Sequence, residues 1–161
     1  MAGRSKGAGG PEGRLEGARI LIIEARYYED IADELLAGAI AEVEAAGATY
    51  ERVAVPGALE IPQVIMMAGD SMLEYDGILA LGCVIRGETS HYDIVCNNAN
   101  HWLYENASQF MLPVGNAVLT VDTKEQAMAR ASGGKDGKGG DAARACLRLI
   151  ELGRQYDERA E

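Results

Sequence analysis

Four short, largely apolar runs divide this chain: Ala18 to Ala25, Thr49 to Val55, Asp76 to Ile85 and Val114 to Thr120. Runs of this length and character fit strands buried on both faces of a parallel sheet. Between them the apolar positions change period. Ile31, Leu35, Leu36, Ile40 and Val43 recur at helical spacing, and Gly47 supplies a stop. Pro62 suits the first turn of a helix running to about Leu73, on which Met66, Met67 and Met72 read as core filler. A longer helix is expected from about Tyr92 to Phe110, with Pro113 closing the gap before the fourth strand. Thr123 and Gln126 form a capping box for a short helix from Lys124 to about Ala131. A last helix covers about Gly139 to Tyr156, with Ala142, Ala145, Cys146, Leu149 and Ile150 along one face. Strand–helix alternation implies right-handed crossovers, and hence an α/β fold: a three-layer α/β/α sandwich around a four-stranded parallel sheet.

Composition narrows the class. With 161 residues, 48% hydrophobic and 25% charged, the chain is a soluble globular sequence of single-domain size. Residues 1–14 are Gly-rich, with Arg4, Lys6 and Arg14 among almost no apolar side chains, and are expected to form a disordered tail. That leaves 15–161 as one domain, without an internal repeat. A formal net charge of −10 argues against a nucleic-acid partner, because nothing here would displace counterions from phosphates at scale. No apolar run reaches the roughly 18 to 20 residues of a membrane span, and no signal-peptide pattern opens the chain. Cys83, Cys96 and Cys146 are odd in number, widely spaced and free of any C-x-x-C pattern. They read as reduced core residues of a cytoplasmic protein, not as staples or metal ligands.

The candidate chemistry gathers after the strands. Gly82-Cys83-Val84-Ile85-Arg86-Gly87-Glu88-Thr89-Ser90-His91 joins the carboxyl end of the third strand to a helix entry, where open α/β sheets bind ligands. His91 carries the side chain whose ordinary pKa suits proton transfer near neutrality, though a helix-entry His is also a common capping or surface residue. Gly87, Glu88 and Thr89 offer backbone N–H groups and a hydroxyl to an anion. Arg86 is either an anion-binding cation or half of a structural ion pair. Val55-Pro56-Gly57-Ala58-Leu59-Glu60-Ile61-Pro62 is another loop at a strand's carboxyl end: an ordinary connection, or a rigid one that aims the Glu60 carboxylate. Tyr27 and Tyr28, after the first strand, either stack on a planar heterocycle or pack locally. Ser132 to Gly140 resembles a phosphate-binding P-loop only in its glycines. The first required Gly is Ser132, Gly139 follows Lys138, and no strand leads in, so the segment reads as a flexible connector. Arg130, just before it, is a candidate anion ligand or a solvated surface residue.

In order along the chain, Ala25-Arg26-Tyr27, Val55 to Pro62, Gly82 to Tyr92, Pro113-Val114-Gly115-Asn116, Val118-Leu119-Thr120, Glu125-Gln126-Ala127 and Arg130 resemble the lumazine synthase family of riboflavin biosynthesis. The resemblance runs from about Ala18 to Leu152. It implies a flavodoxin-like sheet in the order 2-1-3-4 and a transferase with no metal or organic cofactor. The reaction implied is condensation of 5-amino-6-(D-ribitylamino)uracil with 3,4-dihydroxy-2-butanone 4-phosphate. Its product is 6,7-dimethyl-8-ribityllumazine, with phosphate and water released.

The same resemblance assigns Tyr27 to stacking on the pyrimidine ring, and Ala58, Leu59 and Glu60 to the ribityl chain. Cys83, Val84 and Ile85 would meet the pyrimidine edge through main chain, Glu88 and Thr89 would hold phosphate, and His91 would transfer protons. Arg130 would clamp the phosphate, with Lys138 a basic group nearby. Asn116 stands where relatives often carry Phe, which makes that contact polar. The family places each site between subunits, one giving Tyr27, Glu60 and His91 and its neighbour giving Asn116 and Arg130. A pentamer is its smallest functional unit, and some members build shells of 60 subunits. Gly134 replaces a Lys often found in the linker that shapes such shells. Two other classes compete. One is a flavin- or lumazine-binding relative with little turnover, which retention of His91 and Arg130 disfavours. The other is an unrelated doubly wound module; a receiver would need an Asp where the third strand ends in Ile85-Arg86.

Overall fold

The computed structural model describes residues 9–161. Strands β1 (Arg19–Ala25), β2 (Thr49–Val55), β3 (Gly77–Ile85) and β4 (Val114–Val121) form one parallel sheet in the order β2-β1-β3-β4. Helices α1 (Glu29–Ala45), α2 (Ile61–Asp70), α3 (His91–Gln109), α4 (Lys124–Ala131) and α5 (Lys138–Ala160) make the crossovers, with 3-10 turns at Ala58–Glu60 and Gly134–Asp136. This is the flavodoxin-like α/β/α sandwich.

Side chains leave a strand alternately on opposite faces, so each buried strand feeds two cores. Ile20 and Ile22 of β1, Leu79 and Leu81 of β3, and Ala117 and Leu119 of β4 pack with Leu35 of α1, Ala127 of α4 and Leu147 of α5. Leu21 and Ile23 of β1 and Ile78 and Ala80 of β3 pack on the other face with Ile61 and Ile65 of α2 and Leu103 of α3. Strand β1 lies between β2 and β3 and is covered on both sides, which is why its sequence is apolar without alternation. Strand β2 is an edge and keeps Glu51 and Arg52 exposed.

The second helix ends at Asp70 instead of near Leu73. The Ser71 hydroxyl donates to the Ala68 carbonyl at 2.6 Å and accepts from the Leu73 amide at 3.1 Å, turning the chain out of the helix. Met67 and Met72 are exposed, not core filler: α2 fully buries only Ile61, Pro62 and Ile65, and Met72 lies beyond its end. The Gly-rich 132–140 segment is a packed element instead of a flexible connector. A Cβ on Gly139 would lie 1.9 Å from the Leu35 carbonyl oxygen, and one on Gly38 would lie 2.3 Å from that of Gly134. Glycine here lets α1 and α5 touch backbone to backbone.

Residues 1–8 of the expected tail lie outside the described residues. Within 9–14, the amides of Glu12 and Gly13 donate to the Glu151 carboxylate of α5 at 3.0 Å. Among the described residues no helix is long and apolar enough to cross a membrane, and no group of three His, Cys, Asp or Glu is placed to hold a metal ion. Cys83, Cys96 and Cys146 are unpaired and buried.

Candidate active site

The chain leaves β1 toward β2 on one side and places β3 on the other, so the winding reverses between β1 and β3. The crevice outside the carboxyl ends of strands at such a reversal is the usual ligand site of open α/β sheets. Here it is a cleft of about 300 Å³. Tyr27 and Tyr28 line it from the β1–α1 loop, Gly57 to Glu60 from the turn after β2, Cys83 to Ile85 from the end of β3, and His91 and Val95 from α3.

Each wall has a local cause. The β1–α1 connection is only residues 26–28, and the Arg26 amide donates to the Val55 carbonyl at 3.1 Å, which carries the β1–β2 pairing one step past Ala25. Tyr27 is 71% exposed, with its ring edge-on to Tyr28 at 4.9 Å between centroids. After β2, the Glu60 amide closes the 3-10 turn on the Gly57 carbonyl at 3.2 Å. A Cβ on Gly57 would come within 3.3 Å of the Glu60 carboxylate, so glycine leaves that carboxylate room. Ala58, Val95 and Ala99 pack beneath as a small cluster with Val84 and Val118.

The third wall is main chain. Pairing of β3 with β1 stops at Glu24↔Leu81, whereas pairing with β4 continues to Ile85↔Val121. Along Gly82–Ile85 the strand therefore presents its β1-side peptide groups to the cleft without a ladder partner. Cys83 is buried in this wall, and burial pushes its thiol up to about 11. It stays protonated near neutrality, a packing residue and not a nucleophile.

His91 is the exposed first residue of α3, and its amide donates to the Thr89 hydroxyl at 3.3 Å. The loop before it is tied at both ends. The Arg86 amide donates to the Val121 carbonyl at 2.9 Å and its guanidinium to Asp122 at 2.9 Å, while the same group lies 4.1 Å from the centre of the Tyr92 ring. Arg86 is thus half of a structural pair stacked on an aromatic ring, which settles the alternative that the residues left open.

Tyr27, Ala58, Leu59, Glu60, Cys83, Val84, Ile85 and His91 come together in the cleft. Glu88 and Thr89 stand exposed on the loop beside it. Asn116, Arg130 and Lys138 do not line it. Asn116 is on β4, separated from β1 by β3, and its amide donates to Asn100 at 2.7 Å while accepting from the Val118 amide at 2.9 Å. Lys138 lies 3.6 Å from Asp141 in the first turn of α5. The exposed Arg130 guanidinium bonds only the Gln126 carbonyl of its own helix among the described residues, at 3.0 Å. Tyr28, Gly57 and Val95 also line the cleft. Val95 follows His91 by one helical turn, a spacing that could have found it; Tyr28 was one of two adjacent rings, of which the resemblance selected only the first.

The profile of the 6,7-dimethyl-8-ribityllumazine synthase family matches residues 17–154. A protein named 6,7-dimethyl-8-ribityllumazine synthase 1 from Rhodopseudomonas palustris is 50% identical over 145 residues, covering 88% of this chain and 89% of the relative. The 6,7-dimethyl-8-ribityllumazine synthase of Methylobacterium radiotolerans is 53% identical over 143 residues, 89% of this chain and 87% of its own. That of Agrobacterium fabrum is 54% identical over 137 residues, 83% of this chain and 93% of its own. With a profile that spans the sheet and nearly all of its helices, and relatives matched along most of both chains, this chain belongs to the 6,7-dimethyl-8-ribityllumazine synthase family.

Proposed function

We propose that this chain condenses 5-amino-6-(D-ribitylamino)uracil with 3,4-dihydroxy-2-butanone 4-phosphate to 6,7-dimethyl-8-ribityllumazine, releasing phosphate and water. The observation that carries the reading is the convergence of Tyr27, Ala58 to Glu60, Cys83 to Ile85 and His91 on one cleft at the sheet's reversal. The Tyr27 ring offers a flat face to the pyrimidine, and the free peptide groups along Gly82–Ile85 suit its amide-like edge. Glu60 accepts hydrogen bonds from ribityl hydroxyls. The pyrimidine amine attacks the ketone and water leaves as the imine forms. Phosphate elimination and tautomerisation follow, and the ribitylamine nitrogen then closes the ring on the remaining carbonyl with loss of a second water. Each step moves a proton, and His91 at the rim serves as the shuttle. Much of the acceleration comes from holding two substrates in contact.

The phosphate is held by the Glu88–Thr89 loop and by Arg130, with Lys138 nearby. In this reading Arg130 and Asn116 come from a neighbouring subunit. Two observations support that: both residues lie off the cleft of their own chain, and Leu59, Met67, Ile94, Trp102 and Tyr104 leave an apolar face exposed on the α2–α3 side. A homopentamer is the assembly we assign, working in the cytoplasm, where unpaired cysteines persist. Mixing purified protein with both substrates and following the product's fluorescence tests the reaction. Steady product formation supports it; none above the uncatalysed rate overturns it.

A further inference from the structure

Glu24 is 1% exposed, the most buried charged side chain among the described residues, and the steps above make no use of it. It sits next to last in β1. Its carboxylate accepts from the Arg52 guanidinium of β2 at 2.9 Å and from that of Arg26 at 2.7 Å. Arg26 does not stop there. Its Nε donates to Glu29 at 2.9 Å, and its Nη2 donates to Glu29 and to Asp33, both on α1. Three carboxylates hold Arg26 well above the ordinary arginine range, with the Asp33 bond the largest cause. One planar fork therefore links β1, through Glu24 to β2, and the first turns of α1. These are the two ends of the connection that carries Tyr27.

Tyr27 has little else to hold it. Its ring is mostly exposed and touches an aromatic neighbour only edge-on. Where that ring stands depends on where the backbone at residues 26–28 stands. We propose that Arg26 is a positioning residue for the ring-bearing substrate, fixing the Tyr27 face through its simultaneous bonds to Glu24, Glu29 and Asp33. The inference rests on the reading of Tyr27 as the wall that the pyrimidine stacks against. Lysine cannot replace the fork: its ammonium is a point charge that cannot meet three carboxylates in one plane.

The test uses Arg26→Lys and the double variant Glu29→Gln/Asp33→Asn. The second removes only the outer bonds, on carboxylates that are mostly exposed, and spares the buried Glu24 cluster, so it folds even where the first does not. For each, KM is measured for both substrates, and calorimetric titration with ribitylaminouracil alone gives a Kd. Arg26→Lys is expected to raise the KM and Kd for ribitylaminouracil about tenfold, with the KM for the butanone phosphate within about twofold. The double variant is expected to shift the same two constants about threefold. Unchanged ribitylaminouracil constants in a double variant that unfolds like the parent overturn the proposal, as does an equal rise in both KM values. A parent that binds ribitylaminouracil but makes no product defeats the reaction assigned above, and the Kd series still reads Arg26. A parent that does not bind it defeats both.

Discussion

Replacing Gly139 by alanine separates a packing role for the 132–140 glycines from a ligand role. Its Cβ would meet the Leu35 carbonyl oxygen at 1.9 Å and the carbonyl carbon at 2.8 Å. Real contacts stay beyond 3.0 Å, so α5 has to withdraw from α1 by about an ångström. The obstacle is backbone, and no side-chain rotation relieves it. Overpacking of this kind costs about 1–3 kcal/mol. The upper end applies here, less the ~1 kcal/mol that alanine returns over glycine inside a helix. A net loss of about 2 kcal/mol lowers Tm by roughly 4–8 °C for a chain of this length. Gly153, in the same helix and with nothing within 4 Å of a built Cβ, is the control. Gly153→Ala keeps only the helical gain and is expected to stabilise by up to ~1 kcal/mol. Thermal unfolding of the parent and both variants reads the pair, with phosphate-substrate KM alongside. A Gly139→Ala protein as stable as the parent but weakened toward the phosphorylated substrate would refute the packing explanation and revive a phosphate loop.

His91→Ala is expected to slow turnover about 100-fold without abolishing it, because positioning of both substrates survives. Arg130→Ala raises the KM for the phosphorylated substrate more than that for ribitylaminouracil; equal kinetics in variant and parent refute that assignment. The Cys83 thiol, pushed from 9.0 to about 11 by burial, stays unreactive to iodoacetamide at pH 8 in the folded protein. Because its folded value is raised, the stability it contributes is whole below pH 9 and is lost as pH climbs through about 11; pH-dependent alkylation of Cys83 in a Cys96→Ser/Cys146→Ala background checks this. At Glu151, desolvation acts to raise the carboxyl, but hydrogen bonds from Arg148 and the Glu12 and Gly13 amides outweigh it and hold it below its ordinary 4.5. That anchor is present above pH 4.5 and is lost as pH falls further, so Glu151→Gln at pH 7 should speed hydrogen exchange at the Glu12 and Gly13 amides. Unchanged protection there contradicts it.

The strands were legible because two-sided burial writes itself into composition: Ile20 to Ile23 have no polar alternate. The loops were legible because Gly57, Pro56 and Gly87 mark tight connections at strand ends. What the residues could not show were differences of extent and direction. That β3 outruns β1 but not β4 is a matter of pairing register, and it is this that frees the Gly82–Ile85 peptide groups. Arg86 could not be assigned from its neighbours in sequence, since Asp122, its closest carboxylate, is 36 residues away. Glycine is ambiguous between freedom and proximity, so the sequence of residues 132–140 reads as flexible although Gly139 packs against the Leu35 carbonyl and Gly140 against that of Lys135. Met67 shows the same limit, since apolarity does not say which helical face meets the sheet, and Met72 lies beyond the end of α2. Asn116 and Arg130 were found by resemblance, and nothing within one chain's cleft would have picked them.

Co-assembly of His91→Ala and Arg130→Ala subunits tests the shared site most directly. If neighbouring copies contribute the two residues, a mixed assembly made from equal amounts regains complete sites wherever an Arg130→Ala subunit offers its His91 to a His91→Ala neighbour's Arg130. Random mixing makes that about one site in four, so at a phosphorylated-substrate concentration far below the KM of Arg130→Ala, where both variants alone are slow, turnover should recover to about a quarter of the parent's. Turnover that stays at the mean of the two separate variants, in assemblies shown to contain both, contradicts a site built across subunits.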